Sequence, residues 1–279
     1  MAETIRVAHS PDSDDAFMFY ALAAGKIDTG GLEFVHELQD IETLNRQALA
    51  GELEVTAVSI HAYAHLSDRY VLLPHGASMG EGYGPRIVAR EPLRPEQLAG
   101  RTVAVPGTLT SAFLALRLFQ PEARWEVVPF DRIIEHVLAG GADAGLIIHE
   151  GQLTYAREGL HPVADLGEWW ARETGGLPLP LGGNVIRRDL GPERIGRVSR
   201  LLRASIAWGL DHQEEAIPYA QRFGRGLDAA ETAEFVGMYV NPRTLDYGED
   251  GRRAVRLFLD RGHQAGVIPR RVDVEFAEG

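Results

Sequence analysis

This chain of 279 residues contains no cysteine. Disulfides, zinc–thiolate sites, iron–sulfur clusters and a thiol nucleophile are therefore excluded. No apolar run is long enough to span a bilayer. The opening Met1-Ala2-Glu3-Thr4-Ile5-Arg6-Val7 runs straight into a strand pattern. It has no basic segment followed by an apolar one and no lipid-acceptor cysteine, so a cytoplasmic location is the expectation. Basic residues are few, 28 against 40 acidic, for a formal charge of -12. That balance disfavours nucleic acid and anionic membrane as partners. Local dipoles and hydrogen bonds must then hold any anionic substrate.

Several motifs are missing too. There is no internal repeat and no low-complexity tract. Gly-x-Ser-x-Gly is absent, which argues against a serine nucleophile at Ser59. The glycines from Gly76 to Gly84 are not followed by Gly-Lys-Ser/Thr, so they read as a turned connection rather than a phosphate loop. Asp12-Ser13-Asp14-Asp15 lacks the glycine and distal glutamate of an EF-hand loop.

What is present is ordinary for a soluble globular protein, 45% hydrophobic and 24% charged. Short apolar strands alternate with amphipathic helices, the pattern of an α/β protein. Strands are expected at 5–9, 32–38, 54–58, 70–74 and 86–90, with helices at 15–25, 41–49 and 60–66 between them. Glu91-Pro92-Leu93-Arg94-Pro95 reads as a crossing into a second unit. There a new series begins, with strands at 102–105, 125–129 and 144–148. Helices are expected at 111–119, 132–139, from Gln152, and at 169–173. Leu177-Pro178-Leu179-Pro180-Leu181-Gly182-Gly183 reads as the return crossing, followed by a strand at 184–187 and an almost wholly helical remainder. The expected architecture is two lobes: residues 1–90 with 184–279, and an inserted lobe of 91–183. A ligand cleft is expected between them.

Four places share one design, a strand, a polar tip and a helix. They are His9-Ser10-Pro11-Asp12-Ser13-Asp14-Asp15, Val58-Ser59-Ile60-His61, Pro106-Gly107-Thr108-Leu109-Thr110-Ser111 and Ile148-His149-Glu150, the last closing the apolar run from Gly145. Ligands of open α/β sheets gather at the carboxyl ends of strands, so all four tips can face one cleft. His149, ending an apolar run, is either a general base or a core histidine satisfied by a backbone carbonyl. Thr110 and Ser111 are either an ordinary N-cap or, with the helix amides, a carboxylate or phosphate site. Ser59 carries the same pair of readings. The acidic run complements a helix dipole, and Asp14 is also a candidate partner for a sugar-like hydroxyl. His61 and His65, one turn apart, have no acidic third ligand nearby in sequence and read as half-buried histidines rather than a metal site. Trp169-Trp170 reads as core before it reads as a stacking platform.

The chain resembles the 1,4-dihydroxy-6-naphthoate synthases of the futalosine route to menaquinone. The resemblance rests on Phe17-Met18-Phe19-Tyr20-Ala21-Leu22, Asp40-Ile41-Glu42-Thr43-Leu44-Asn45, Val103-Ala104-Val105-Pro106-Gly107 and Gly145-Leu146-Ile147-Ile148-His149-Glu150. Leu177-Pro178-Leu179-Pro180-Leu181-Gly182 and Tyr239-Val240-Asn241 follow in the same fixed order. It implies a two-lobe, type II periplasmic-binding-protein-like fold. It also implies a lyase that converts cyclic dehypoxanthinyl futalosine to 1,4-dihydroxy-6-naphthoate and dihydroxyacetone. By the same resemblance His149 is the proton acceptor, and Ala57-Val58-Ser59 with Thr110-Ser111 are substrate-binding positions. The implied partner is a small-molecule carboxylate, with no metal or organic cofactor; no oligomeric state is implied.

Two departures stand out. The family often reads Cys-Pro-Asn-Asp where this chain has Asp12-Ser13-Asp14-Asp15, and two threonines where it has Thr110-Ser111. The sister chorismate dehydratases, on the same fold, end the corresponding strand nearer Ile-Gly-Asp than Ile-Ile-His-Glu. A dehydratase and a solute-binding protein without chemistry are the alternative readings.

Overall fold

The computed structural model describes residues 3–224 and 226–278. The chain builds β1 (Glu3–His9), α1 (Ser13–Ala23), β2 (Leu32–Leu38), α2 (Ile41–Ala50), β3 (Val55–Ser59), α3 (Ile60–Tyr63), β4 (Tyr70–Leu72) and β5 (Ser78–Gly80). It continues with β6 (Arg86–Ala89), β7 (Thr102–Val105), α4 (Ser111–Phe119), β8 (Arg124–Val127), α5 (Ile133–Leu138), β9 (Ala144–Ile147), α6 (Gly151–Thr154), β10 (His161–Asp165) and α7 (Leu166–Thr174). The last part is β11 (Leu179–Arg187), α8 (Pro192–Asp211), α9 (Gln213–Gln221), α10 (Ala229–Tyr239), α11 (Pro242–Leu245) and α12 (Gly248–Gln264).

These strands form two sheets. The first runs β2-β1-β3-β11-β4, with β5 paired to β11. The second runs β10-β6-β9-β7-β8. In the first sheet β1 is parallel to β2 and β3, and β11 returns antiparallel to β3, β4 and β5. In the second, β7 is parallel to β8 and β9, while β6 is antiparallel to β9 and β10.

The sequence accounts for much of this locally. All five residues of β3 are buried, as a central strand covered on both faces requires. Asp40 caps α2 by accepting from the backbone N–H groups of Glu42 and Thr43, each at 3.1 Å. Asp165 caps α7 in the same way. Gly51 and Gly175 end these two helices in the left-handed conformation that glycine takes without strain. Helix α1 is buried from Ala16 to Leu22 because it is sandwiched by α8, α9 and α10. It is therefore apolar around most of its circumference.

The crossings between sheets lie earlier than the prolines suggest. Residues 86–90, expected with the first unit, belong to the second, because β6 pairs with β9 and β10. The chain changes sheets within residues 81–85, not at Glu91–Pro95. Pro95 instead starts a short 3-10 turn. Likewise β11 starts at Leu179, so the expected return crossing is mostly strand. Pro180 is tolerated there because the register with β5 shifts between Pro180 and Gly182. The glycine-rich 76–84 segment holds β5, and β10 fills a stretch where no strand is expected.

Candidate active site

Parallel pairing places the polar tips. Because β1 and β3 run the same way, Ser10–Asp15 and Ser59 leave the first sheet at one edge. Because β7 and β9 run the same way, Thr110–Ser111 and His149 leave the second sheet at one edge. The two edges face each other across a cavity. Asp14, Ala57, Val58, Ser59, Thr110, Ser111 and His149 all line it.

His149 stands just beyond β9 with φ of +56°, the one positive value on a non-glycine among the described residues. Such a conformation costs about 1–3 kcal/mol, and strain of this kind clusters at functional sites. The imidazole crosses to the other sheet. Its Nδ1 lies 2.6 Å from Oδ2 of Asp12. Phe130 meets the ring edge-on, centroids 5.0 Å apart. The His149 side chain keeps 17% exposure, whereas Asp12 keeps 2%. The histidine is thus paired with a carboxylate rather than satisfied by a backbone carbonyl.

The electrostatics follow from that pair. Burial is the largest single influence on His149 and disfavours the imidazolium. The Asp12 charge and hydrogen bond, with Glu150 and Asp14 nearby, together outweigh it and push the pKa up to about 9. Removal from water, with Asp12 and Asp15 alongside, pushes Asp14 well above the usual carboxylate range. Asp15 is raised as well, by burial and by Asp12, although it accepts the Ser10 N–H at 2.7 Å. One negative charge near the imidazole is favourable; a second and third in the same dry corner are not. Asp14 is therefore disposed to keep its proton and act as a donor.

Ser59 is held by Asn45. The Asn45 side-chain amide donates to the Ser59 hydroxyl oxygen at 3.1 Å, and the Ser59 N–H donates to Asn45 Oδ1 at 2.9 Å. Accepting from Asn45 leaves the hydroxyl proton of Ser59 able to point at a ligand. The pair Thr110 and Ser111 is used differently. Thr110 Oγ1 accepts from the Phe113 N–H at 3.1 Å and donates to the Gly107 carbonyl at 2.9 Å, the N-cap arrangement. Ser111 Oγ accepts from the His61 N–H at 3.2 Å and donates to the Leu181 carbonyl at 2.5 Å. Both residues border the cavity, yet their hydroxyls are already engaged, that of Thr110 within its own loop and that of Ser111 in joining the two halves.

Other contacts also span them. The Glu42 carboxylate accepts the Leu109 N–H at 3.3 Å. Tyr239 donates to Gln152 Oε1 at 2.9 Å within the cavity wall. Asn184 lines the same cavity, and its buried side-chain nitrogen has no hydrogen-bond partner among the described residues. Asp12, Asn45, Gln152, Asn184 and Tyr239 are not among the candidate residues read from sequence. A signal existed for some of them, since Asn45 ends the Asp40–Asn45 motif. Tyr239 opens the Tyr239-Val240-Asn241 motif and Asp12 the acidic run, while Gln152 and Asn184 carry no local mark.

The remaining candidates are structural. His61 and His65 stand edge to face at 5.9 Å, and His61 Nδ1 lies 3.2 Å from the Thr110 carbonyl. Burial, with His65 beside it, lowers the His61 pKa to about 4, so the ring is neutral. No cluster of three metal-ligating side chains occurs among the described residues. Trp170 is fully buried and donates to the Pro178 carbonyl at 2.9 Å, while Trp169 packs on Phe119. No helix among the described residues is long and apolar enough to cross a membrane.

Comparison with known proteins agrees with this geometry. Residues 5–264 match the family model described as menaquinone biosynthesis. A 1,4-dihydroxy-6-naphthoate synthase of Thermus thermophilus is 46% identical over 260 residues, covering 92% of this chain and 94% of the relative. One from Streptomyces coelicolor is 39% identical over 274 residues, covering 96% of each. Among solved structures, a protein from Archaeoglobus fulgidus superposes with a TM-score of 0.91 at 48% identity, covering 95% of this chain and 98% of that one. The alkanesulfonate-binding protein of Xanthomonas axonopodis superposes at 0.70 with 14% identity, covering 98% and 97%. That distant likeness shows the fold: two α/β units of the periplasmic-binding-protein type. With the match running through both sheets and every tip that lines the cavity, the chain belongs to the menaquinone biosynthesis family.

Proposed function

We propose that this protein is a 1,4-dihydroxy-6-naphthoate synthase that cleaves cyclic dehypoxanthinyl futalosine, releasing dihydroxyacetone, with His149 as the proton acceptor. The observation that carries the reading is the His149 ring, bordering the cavity between the sheets with Nδ1 engaged by Asp12 and Nε2 left for a ligand. The synthase names of both curated relatives support a carbon–carbon lyase over a dehydratase.

The chemistry runs from these residues. The neutral fraction of His149, which grows as pH rises toward its pKa near 9, takes a proton through Nε2 and starts a cleavage of retro-aldol type. Loss of the three-carbon fragment leaves an aromatic ring, which drives the step. Ser59, Asp14 and the helix-end amides at Thr110–Ser111 orient a carboxylate-bearing substrate. Ala57 and Val58 form the wall beside it. The two sheets with their helices act as lobes that close and exclude water. We assign the reaction to the cytoplasm, where a biosynthetic enzyme meets its soluble substrate.

His149→Ala is the direct test. Binding of the substrate, followed by calorimetry, should persist, while turnover should fall by roughly 10²–10⁴-fold, the usual contribution of a general base. Wild-type turnover in that variant would end the assignment of His149. Product analysis by mass spectrometry tests the reaction itself. Water loss from chorismate in place of cleavage would replace the lyase reading.

A further inference from the structure

We propose that Asp12 is a positioning residue for His149, supplied from the opposite sheet, so that the base is complete only when the two sheets' tips meet. The inference rests on the reading of His149 as the base. Three observations carry it.

The first is distance and origin. Asp12 lies beyond β1 of the first sheet and His149 beyond β9 of the second, yet Oδ2 and Nδ1 are 2.6 Å apart. The second is what Asp12 declines to do. It occupies the N-cap position of α1 with the extended backbone of a capping residue, but its side chain makes no capping hydrogen bond. An aspartate there ordinarily accepts from the first amides of the helix. The third is the backbone of His149, held at φ +56°. A non-glycine residue keeps that conformation only where its surroundings impose it.

The consequence is chemical. A carboxylate on Nδ1 fixes the neutral ring in the tautomer with hydrogen on Nδ1 and the lone pair on Nε2. It also stabilises the imidazolium formed when a proton arrives. Asp12, Asp14 and Glu150 are the acidic groups facing the ring; burial opposes the imidazolium, and the Asp12 charge and hydrogen bond lead the influences that outweigh it and set the His149 pKa near 9. The neutral form then grows as pH rises toward that value, so the acid limb of the pH–rate profile belongs to this pair. Each half of the molecule carries one member of the pair, and opening the cleft separates them.

The test compares Asp12→Asn with the parent on cyclic dehypoxanthinyl futalosine across pH 6 to 10. The expected result is a kcat lower by roughly 10²–10⁴-fold, the upper end being the effect of turning the orienting aspartate of a catalytic histidine into asparagine. KM should stay within about threefold, and the acid limb of kcat/KM should move by about one pH unit or more toward neutrality. A purely structural role would alter stability or KM and leave the limb in place. Asp12→Glu keeps the charge and should keep the limb near its parental pH even if kcat drops. It also serves if the asparagine variant does not fold. An unshifted limb together with parental kcat in Asp12→Asn, while His149→Ala is inert, overturns the role of Asp12 alone. Wild-type turnover in His149→Ala overturns both readings.

Discussion

Asn45 and Ser59 are joined by two hydrogen bonds, amide to hydroxyl at 3.1 Å and backbone N–H to amide oxygen at 2.9 Å. The pair sets the direction in which the Ser59 hydroxyl can donate. Asn45→Ala leaves the buried Ser59 N–H without its acceptor, which costs about 1–3 kcal/mol. The denaturation midpoint should fall accordingly, and KM should rise more than kcat falls. An unchanged KM would show that Ser59 does not need Asn45 to meet substrate.

Ser111 and Ser59 should separate in their effects. Removing the Ser111 hydroxyl strips a partner from the His61 N–H and the Leu181 carbonyl together. Ser111→Ala is expected to lose about 1–3 kcal/mol of stability. Ser59→Ala keeps its backbone bond to Asn45 and strips an acceptor only from the Asn45 amide, so it should lose less stability than Ser111→Ala and mainly raise KM. Urea melts and steady-state kinetics on the two variants check the contrast. Equal stability losses would place Ser59 among the structural hydroxyls.

Gly167 is the closest approach at the crossing between sheets. A Cβ there would overlap the Tyr83 carbonyl and the Gly84 amide, both rigid backbone. Gly167→Ala must displace residues 81–85, and overpacking of this kind costs about 1–3 kcal/mol. Because Tyr83 also stacks edge-on with Tyr239 in the cavity wall, turnover should fall with stability. A variant as stable as the parent would mean that the crossing yields freely.

His75 gives a pH test away from the cavity chemistry. Its Nε2 lies 3.0 Å from Ser199 Oγ. Burial, opposed by the Ser199 bond and aided by Arg203, lowers its pKa to about 4. The unfolded chain, with an ordinary histidine near 6.5, therefore takes up a proton that the folded protein refuses between pH 6.5 and 4. This group's effect is to lower stability as pH falls through that window, by at most about 1.4 kcal/mol per pH unit. His75→Asn removes that slope. Parallel stability curves for parent and variant between pH 7 and 5 would show that His75 does not titrate in this way.

Much of the architecture was legible along the chain. Apolar runs of four to seven residues broken by a polar tip marked β1, β3, β7 and β9, because a strand that leaves the core must turn hydrophilic at once. Capping residues such as Asp40 and Thr110 marked helix starts for equally local reasons. The almost wholly helical remainder expected after Pro192 is found as α8 to α12, while the segment beyond Gln264 is irregular and bridges Leu72 at Phe276. Pairing between distant strands was not legible. The run at 86–89 has the same composition whether its neighbour is β5 or β9, so only its pairing with β9 and β10 assigns its sheet, and the prolines at 92 and 95 lie beyond the true crossing.

The candidate site divided along the same line. That Asp14, Ser59, Thr110, Ser111 and His149 stand at strand ends is local chemistry, readable from residue order. That Asp12 faces His149 across 137 positions of sequence is not. An aspartate before a helix already has an adequate local explanation in the dipole, and nothing near it in the chain signals a different partner. Likewise the engagement of the Ser111 hydroxyl with His61 and Leu181 depends on how two sheets approach each other. Periodicity and capping act within a few residues of each position; the partner of a charge in a cleft is set by long-range packing of the whole chain.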